Sequence, residues 1–319
     1  MGLLLGWMAF RGVDWGSIQS ALSKVSWDVL VPALSAVILS LFLQAVRWKV
    51  LLPGEPVSTR RLFFVRNAGV SINNLTMIPG VLGEASTLAM LSKSDKIAGS
   101  KIIASIFVSR TLDFAATAAF LLVGFLLLPQ LSVFRPAIVT VLVVAMIVMV
   151  IMLLAKRVGR LPLLRRIKCL QSPLHGIHLL RNRQRRLWLS LLLTVSSQML
   201  LGAAGWLVAA ALGIQLSFWM MSILLVGAGF FASVIPAGPA KLGTYEFTFV
   251  YVLGLFVVDR QAALTFALLT HALFVLPSMI IGILVVSRER KALEEVGTQA
   301  GGLLRRLLFR RKTPAEQPV

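Results

Sequence analysis

The chain has 319 residues, of which 58% are hydrophobic and only 14% charged, with a mean hydropathy of +0.88. A soluble domain carries roughly 25% charged residues, so a water-exposed fold of this size is excluded. The 32 Lys and Arg against 12 Asp and Glu give a net charge of +20, but the basic residues fall between and after apolar runs, which reads as membrane topology and not as nucleic-acid binding.

The apolar runs are long and continuous, which selects an all-α polytopic membrane protein over a barrel. Met1–Phe10 lacks the basic start and small-residue cleavage site of a signal peptide and is expected to be a shortened crossing. Val29–Leu52 is a full-length span broken only by Pro32 near its start. Four more follow: Ile102–Leu128 with Arg110 and Asp113, Pro136–Ala155, Leu187–Leu212, and Ala262–Val286 with His271 and Pro277. Gly202, Ala203, Ala204 and Gly205 give Leu187–Leu212 a surface suited to close helix packing.

Two other stretches, Leu62–Leu91 and Phe218–Val258, are apolar at both ends and interrupted by Pro, Gly and polar residues. Irregular backbone at membrane depth must be buried in protein or line a cavity, so each is expected to be a re-entrant hairpin of two short helices. Arg60, Arg61 and Arg66 precede the first break and Lys93, Lys96 and Lys101 follow it, which puts both ends of that hairpin on the cytoplasmic side. The loop 156–186 holds ten Lys or Arg and no acid, and the tail 287–319 is basic. About six crossings with both termini cytoplasmic satisfy these loops, the first hairpin opening inward and the second outward. Residues 1–286 then form one transmembrane domain and 287–319 an amphipathic basic tail lying, with the loop, on the anionic inner leaflet.

The hairpins resemble each other. Gly69, Pro79 and Gly83 are spaced as Gly229, Pro239 and Gly243 are, each set is followed by a Glu (Glu84, Glu246), and each hairpin precedes a span with an ionisable residue (Arg110, His271). An inverted repeat of about 28–128 and 187–286 is expected, the alternative being two unrelated kinks in a bundle.

Charges at a helix centre cost roughly 2.5–3.5 kcal/mol each on insertion scales, so those present should be paired or face a wet cavity. Arg110 and Asp113 share a face at i, i+3. They form either a mutual ion pair locking the bundle or a site in which Asp113 orients Arg110 toward an anionic group. Glu84 at the start of a half-helix complements its dipole or joins Asn73 and Asn74 in the same polar cluster. Lys241, Tyr245 and Glu246 follow the second break, as an exposed tip or an outward head-group site. His271 is a packing residue or a functional one. One cysteine, Cys169, and scattered His175 and His178 supply no disulfide or metal set, and no metal or other cofactor is expected. No nucleophile triad, Walker or GxGxxG pattern is present, so neither an enzyme nor an ATP-driven pump is expected from this chain alone.

FRGVDW (Phe10–Trp15), AVRWKVLL (Ala45–Leu52), NNLTMIPGVLGEA, SRTLD (Ser109–Asp113) and PAGPAKLGTYE, in this order, resemble the lysylphosphatidylglycerol synthase transmembrane-region family, or flippase-like domain family, along nearly the whole chain. The resemblance implies a bacterial inner-membrane protein that moves lipids, without the soluble synthase domain of the two-part enzymes. The sequence departs from the family pattern at Leu82, usually basic, at Ser109, usually Glu, and at Ala240 and Lys241, which interrupt a Gly-rich run. The leading expectation is therefore a flippase for an anionic phospholipid or polyprenyl-linked lipid. Arg110, Asp113, Glu84, Asn73 and Asn74 would line its inner cavity, and Lys241, Tyr245, Glu246 and His271 its outer part. Its partners would be membrane lipids, not nucleic acid, and a homo-oligomer is admissible. The alternatives are an intramembrane lipid-modifying transferase with Glu84 or His271 as base, and a scaffold recruiting a cytoplasmic partner.

Overall fold

A computed structural model describes residues 2–23, 25–76, 81–153, 184–235 and 238–288. These are helical and contain no strand. In chain order the helices are α1 (Gly2–Phe10), α2 (Trp15–Ser23), α3 (Trp27–Leu51), α4 (Thr59–Leu75), α5 (Val81–Ala89), α6 (Gly99–Leu127), α7 (Arg135–Leu153), α8 (Gln184–Ala211), α9 (Phe218–Val234), α10 (Thr244–Gly254) and α11 (Arg260–Arg288). Among the described residues, α3, α6, α7 with the turn before it, α8 and α11 are long and apolar enough to cross a bilayer. Their exposed side chains include Trp27, Leu39, Phe42, Met146, Leu192 and Ile280, an apolar surface that suits lipid and not water. The protein is a polytopic α-helical membrane protein.

The expected sixth crossing, Met1–Phe10, is a nine-residue helix. At 1.5 Å per residue it covers about 14 Å, half of a hydrocarbon core of roughly 30 Å, and so does not complete a crossing. It packs instead on α10, where Gly6 and Gly243 come together without side chains between them. The basic loop with Cys169, His175 and His178, the Pro79–Gly80 break and the amphipathic tail lie largely or wholly outside the described residues.

Both broken stretches are pairs of short helices, as their composition predicts. Ser58 caps α4 by accepting from Arg61 N at 3.1 Å, and Ser217 caps α9 by accepting from Met220 N at 3.3 Å. The arms of the first hairpin touch where Gly69 faces Gly83, an approach that a Cβ on either residue would block. Its ends are tied by the Arg61 Nε to Asp95 Oδ2 ion pair at 3.0 Å, so the chain enters and leaves this hairpin on one side.

The helix packing has a reciprocal pattern. Exchanging α3 with α8, α4 with α9, α5 with α10 and α6 with α11 converts observed pairings into observed pairings. Thus α4 packs on α11 as α9 packs on α6, α3 on α4 as α8 on α9, and α3 on α6 as α8 on α11. The most extensive contact, α3 with α8, maps onto itself. Polar groups stitch these contacts, as expected where apolar burial between helices gains little over lipid. Ser40 Oγ donates to Ser197 O at 2.9 Å, Trp48 Nε1 to Ser105 Oγ at 2.9 Å and Ser278 Oγ to Asn67 Oδ1 at 3.1 Å.

Candidate functional site

The two hairpins meet: the turn Pro239–Lys241 of the second packs on α4 of the first. Beside this meeting lies a small polar cavity that opens to the surface. Gln44 and Arg47 of α3, Arg66 and Asn73 of α4, Gly83, Glu84 and Thr87 of α5, and Ser109, Arg110 and Asp113 of α6 line it. Arg110 is about 17 Å along α6 from Gly99, well inside this 29-residue span.

Arg110 and Asp113 are both here, but not as partners. Asp113 is held by Arg47, which is 2% exposed and gives both terminal nitrogens to the carboxylate, Nη2 to Oδ2 at 3.1 Å. The same guanidinium donates to Thr194 Oγ1 at 2.8 Å and to Ser109 Oγ at 2.6 Å. A planar fork from a facing helix fits a carboxylate better than a neighbour three residues along the same helix, which explains the difference from the expected pairing. Ser109, one of the departures from the family pattern, supplies part of this locking network. Arg110 instead donates from Nε to Glu84 Oε1 at 2.8 Å. Glu84 lies in the first turn of α5, where it also complements the helix dipole.

Asn73 Oδ1 accepts from Gly83 N at 2.8 Å, closing the hairpin by satisfying an amide left free at the α5 N-terminus. Asn74 is outside the lining of the cavity. The residues that the sequence left unassigned are Arg47 and Arg66. Arg66 Nη2 donates to Gln44 Oε1, a neutral acceptor, while its Nη1 is buried without a partner among the described residues. The only sequence signal for Arg66 was a charge inside an otherwise membrane-like stretch.

The second hairpin holds a separate knot. Tyr245 and Glu246, expected at an exposed tip or an outward mouth, are 7% and 1% exposed, because α1 and α11 cover the start of α10. Glu246 Oε1 is 2.6 Å from His271 Nδ1, and its Oε2 accepts from Gly243 N at 2.7 Å. His271 Nε2 meets Ala240 O at 2.7 Å, an oxygen that can only accept, so this nitrogen carries a hydrogen. The Glu–His contact then needs one further hydrogen, so the pair is net neutral whichever partner holds it. Tyr245 stacks on the imidazole at 4.4 Å between centroids and donates to Thr270 Oγ1 at 3.3 Å. Lys241 turns to Ser233 Oγ at 2.8 Å. Ala240 and Lys241 have φ of 53° and 60°, and the His271 bond to the Ala240 carbonyl pins this left-handed turn.

Among the described residues, no three His, Cys, Asp or Glu side chains come together as a metal set. A family model described as the lysylphosphatidylglycerol synthase TM region matches residues 1–282. No curated protein matches the chain.

Proposed function

The chain belongs to the lysylphosphatidylglycerol synthase transmembrane-region family, and from that premise we propose that it moves an anionic lipid between the leaflets of a bacterial inner membrane. The observation that carries this reading is the cavity beside the first hairpin, where three guanidinium groups and two carboxylates surround open space. Burying charge there is costly, and a head group crossing the bilayer is a reason to bear the cost. Lipid tails would remain in the bilayer between the helices.

The reciprocal packing supports an inverted repeat as the frame of transport, and so does the pairing of each hairpin's Glu with the ionisable residue of the following span. In this frame the first hairpin opens to the cytoplasm and the knot of Tyr245, Glu246 and His271 holds the second hairpin shut. The transferase alternative is less well supported. It needs Glu84 or His271 as a free base, whereas Arg110 engages Glu84 and both ring nitrogens of His271 are committed. A scaffold would not need the charged cavity.

Leaflet exchange in proteoliposomes tests the proposal, with short-chain labelled anionic and zwitterionic lipids and wild type against Arg110→Ala. Exchange that favours the anionic lipid and falls in the variant is expected. No exchange of any lipid by folded protein overturns it.

A further inference from the structure

The two hairpins hold the same kind of pair with different chemistry. Glu84 meets Arg110 in the first, and Glu246 meets His271 in the second. A guanidinium does not lose its proton in proteins, whereas an imidazole exchanges one near neutral pH. The histidine stands in the enclosed pair, whose side chains are 1% and 8% exposed.

Hydrogen bonding fixes how many protons the closed pair holds. His271 Nε2 donates to the Ala240 carbonyl, and one hydrogen lies between Nδ1 and Glu246 Oε1. Glu246 Oε2 accepts from Gly243 N. A further hydrogen would sit on Oε2 against that N–H or crowd the one on Nδ1. Removing the shared hydrogen would set a carboxylate oxygen against an imidazole lone pair. Beyond the fixed Nε2 hydrogen, the closed pair therefore holds one proton.

The surrounding elements leave this count unchanged. α1, α2 and α9 carry no ionisable side chain. On α10, Tyr245 stacks on the imidazole and donates to Thr270. The turn brings Lys241, whose ammonium goes to Ser233, with Arg110 acting on it from the first hairpin. On α3 and α4, Arg47, Arg61 and Arg66 are held by Asp113, Asp95 and Gln44, and Lys49 by the Glu55 carbonyl. Arg260 of α11 is held by the Met8 carbonyl. Arg185 and Arg186 of α8 adjoin Leu187, which packs with Val285 near the other end of α11. The pair also holds the backbone: the Ala240 and Lys241 turn has positive φ, and this turn touches α4 of the first hairpin.

We propose that Glu246 and His271 form a proton-binding site and that opening the second hairpin releases its proton above about pH 6.5. This goes beyond lipid transport and holds for the hairpin whatever passes it. In water a histidine keeps its proton below about pH 6.5 and a glutamate below about pH 4.3. Above the first value the open pair holds no proton and the closed pair one. Opening then releases a proton and grows about tenfold per pH unit as pH rises. Between the two values both forms hold one, and pH has no effect. Below the second the open pair holds two, and acid favours opening.

Hydrogen–deuterium exchange of the full-length protein in detergent tests this, read by mass spectrometry. Each rate is divided by that of an unprotected amide at the same pH. Peptides of α10 report the second hairpin, and peptides of α5 are the reference from the first. Opening at α10 is expected to be flat between about pH 5 and 6.5 and then to rise about tenfold per unit, while α5 stays flat. In Glu246→Gln the side-chain amide donates to Nδ1 and its oxygen accepts from Gly243 N, so the closed pair holds no exchangeable charge. Opening of this variant should be flat above about pH 6.5 and grow toward acid, a reversed sign. The double variant Glu246→Gln, His271→Gln has nothing to titrate and should be flat throughout. It decides the matter if the single variant does not fold.

A wild-type α10 response that is flat in alkali, or that grows only toward acid, overturns the proton count. An alkaline response that survives in either variant, or that α5 shares, overturns the assignment to this pair. If α10 follows the expected course and no lipid exchange is seen, the proton site stands and the transport reading falls.

Discussion

The Glu246 carboxylate lies 2.6 Å from Nδ1 of His271, and the residues are 25 apart in the chain. Glu84 and Arg110, 26 apart, meet in the same way in the first hairpin. The environments differ: the first pair is 1% and 8% exposed at its side chains, the second 37% and 59%. One relationship therefore serves two purposes, a closed knot in one hairpin and an accessible cavity wall in the other.

His271→Ala leaves the buried Glu246 with backbone amides alone, Gly243 and its own, and releases the Ala240 turn. Breaking a buried pair from one side costs on the order of 3–5 kcal/mol, so a large fall in the unfolding midpoint in detergent is expected. The double variant His271→Ala, Glu246→Ala should lose less than the sum of the singles. Full additivity would mean that the pair does not couple.

Asp113→Asn and Arg110→Ala should separate stability from transport. Asp113→Asn strips the counter-charge from a buried Arg47 and should destabilise the protein by about 3–5 kcal/mol. Arg110→Ala removes a partly exposed pair worth about 0–1 kcal/mol, so it should leave the unfolding midpoint nearly unchanged while lowering lipid exchange. The reverse order would make Arg110 the structural member.

Gly83→Ala places a methyl group against the Gly69 carbonyl and the Asn73 amide. Overpacking of this kind costs about 1–3 kcal/mol, and exchange should fall with it. Gly229→Ala, at the sequence offset in the second hairpin that Gly69 has in the first, meets nothing within 4 Å. There the better helix propensity of Ala should raise stability by up to about 1 kcal/mol. Thermal unfolding of the two variants side by side is the measurement.

Arg60→Cys and Lys96→Cys, in a Cys169→Ser background, should react with a membrane-impermeant thiol reagent from one face of the bilayer. Val257→Cys, 94% exposed between α10 and α11, should react only from the other. Val285, near the far end of α11, packs in one cluster with Val57 and Ile97 at the base of the first hairpin. Since α11 is 29 residues long, its Arg260 end is carried across the bilayer from there. Labelling of all three from one side would contradict this topology.

The five long spans were legible from hydropathy to within about three residues, because a helix in lipid must be apolar over its whole length. The hairpins were legible from their Pro, Gly and polar interruptions. Partner choice was not. The i, i+3 spacing joined Arg110 to Asp113, but Arg47, 66 residues from Asp113, reaches the carboxylate from a facing helix. Arg66 looked like a marker of the cytoplasmic side because sequence shows a charge and not what it lacks. Tyr245 and Glu246 looked exposed because polarity beside a break suggests a tip, and nothing local shows that α1 and α11 close over them.

The seam between α3 and α8 is the extensive pairing, among the described residues, that the reciprocal exchange leaves in place. If the halves trade conformations, this seam is the fulcrum: other contacts are traded for their counterparts while Ser40 stays against Ser197. Damage to either hairpin would then bias the molecule toward one mouth. Damage at the seam would favour neither mouth and would loosen the bearing on which both turn.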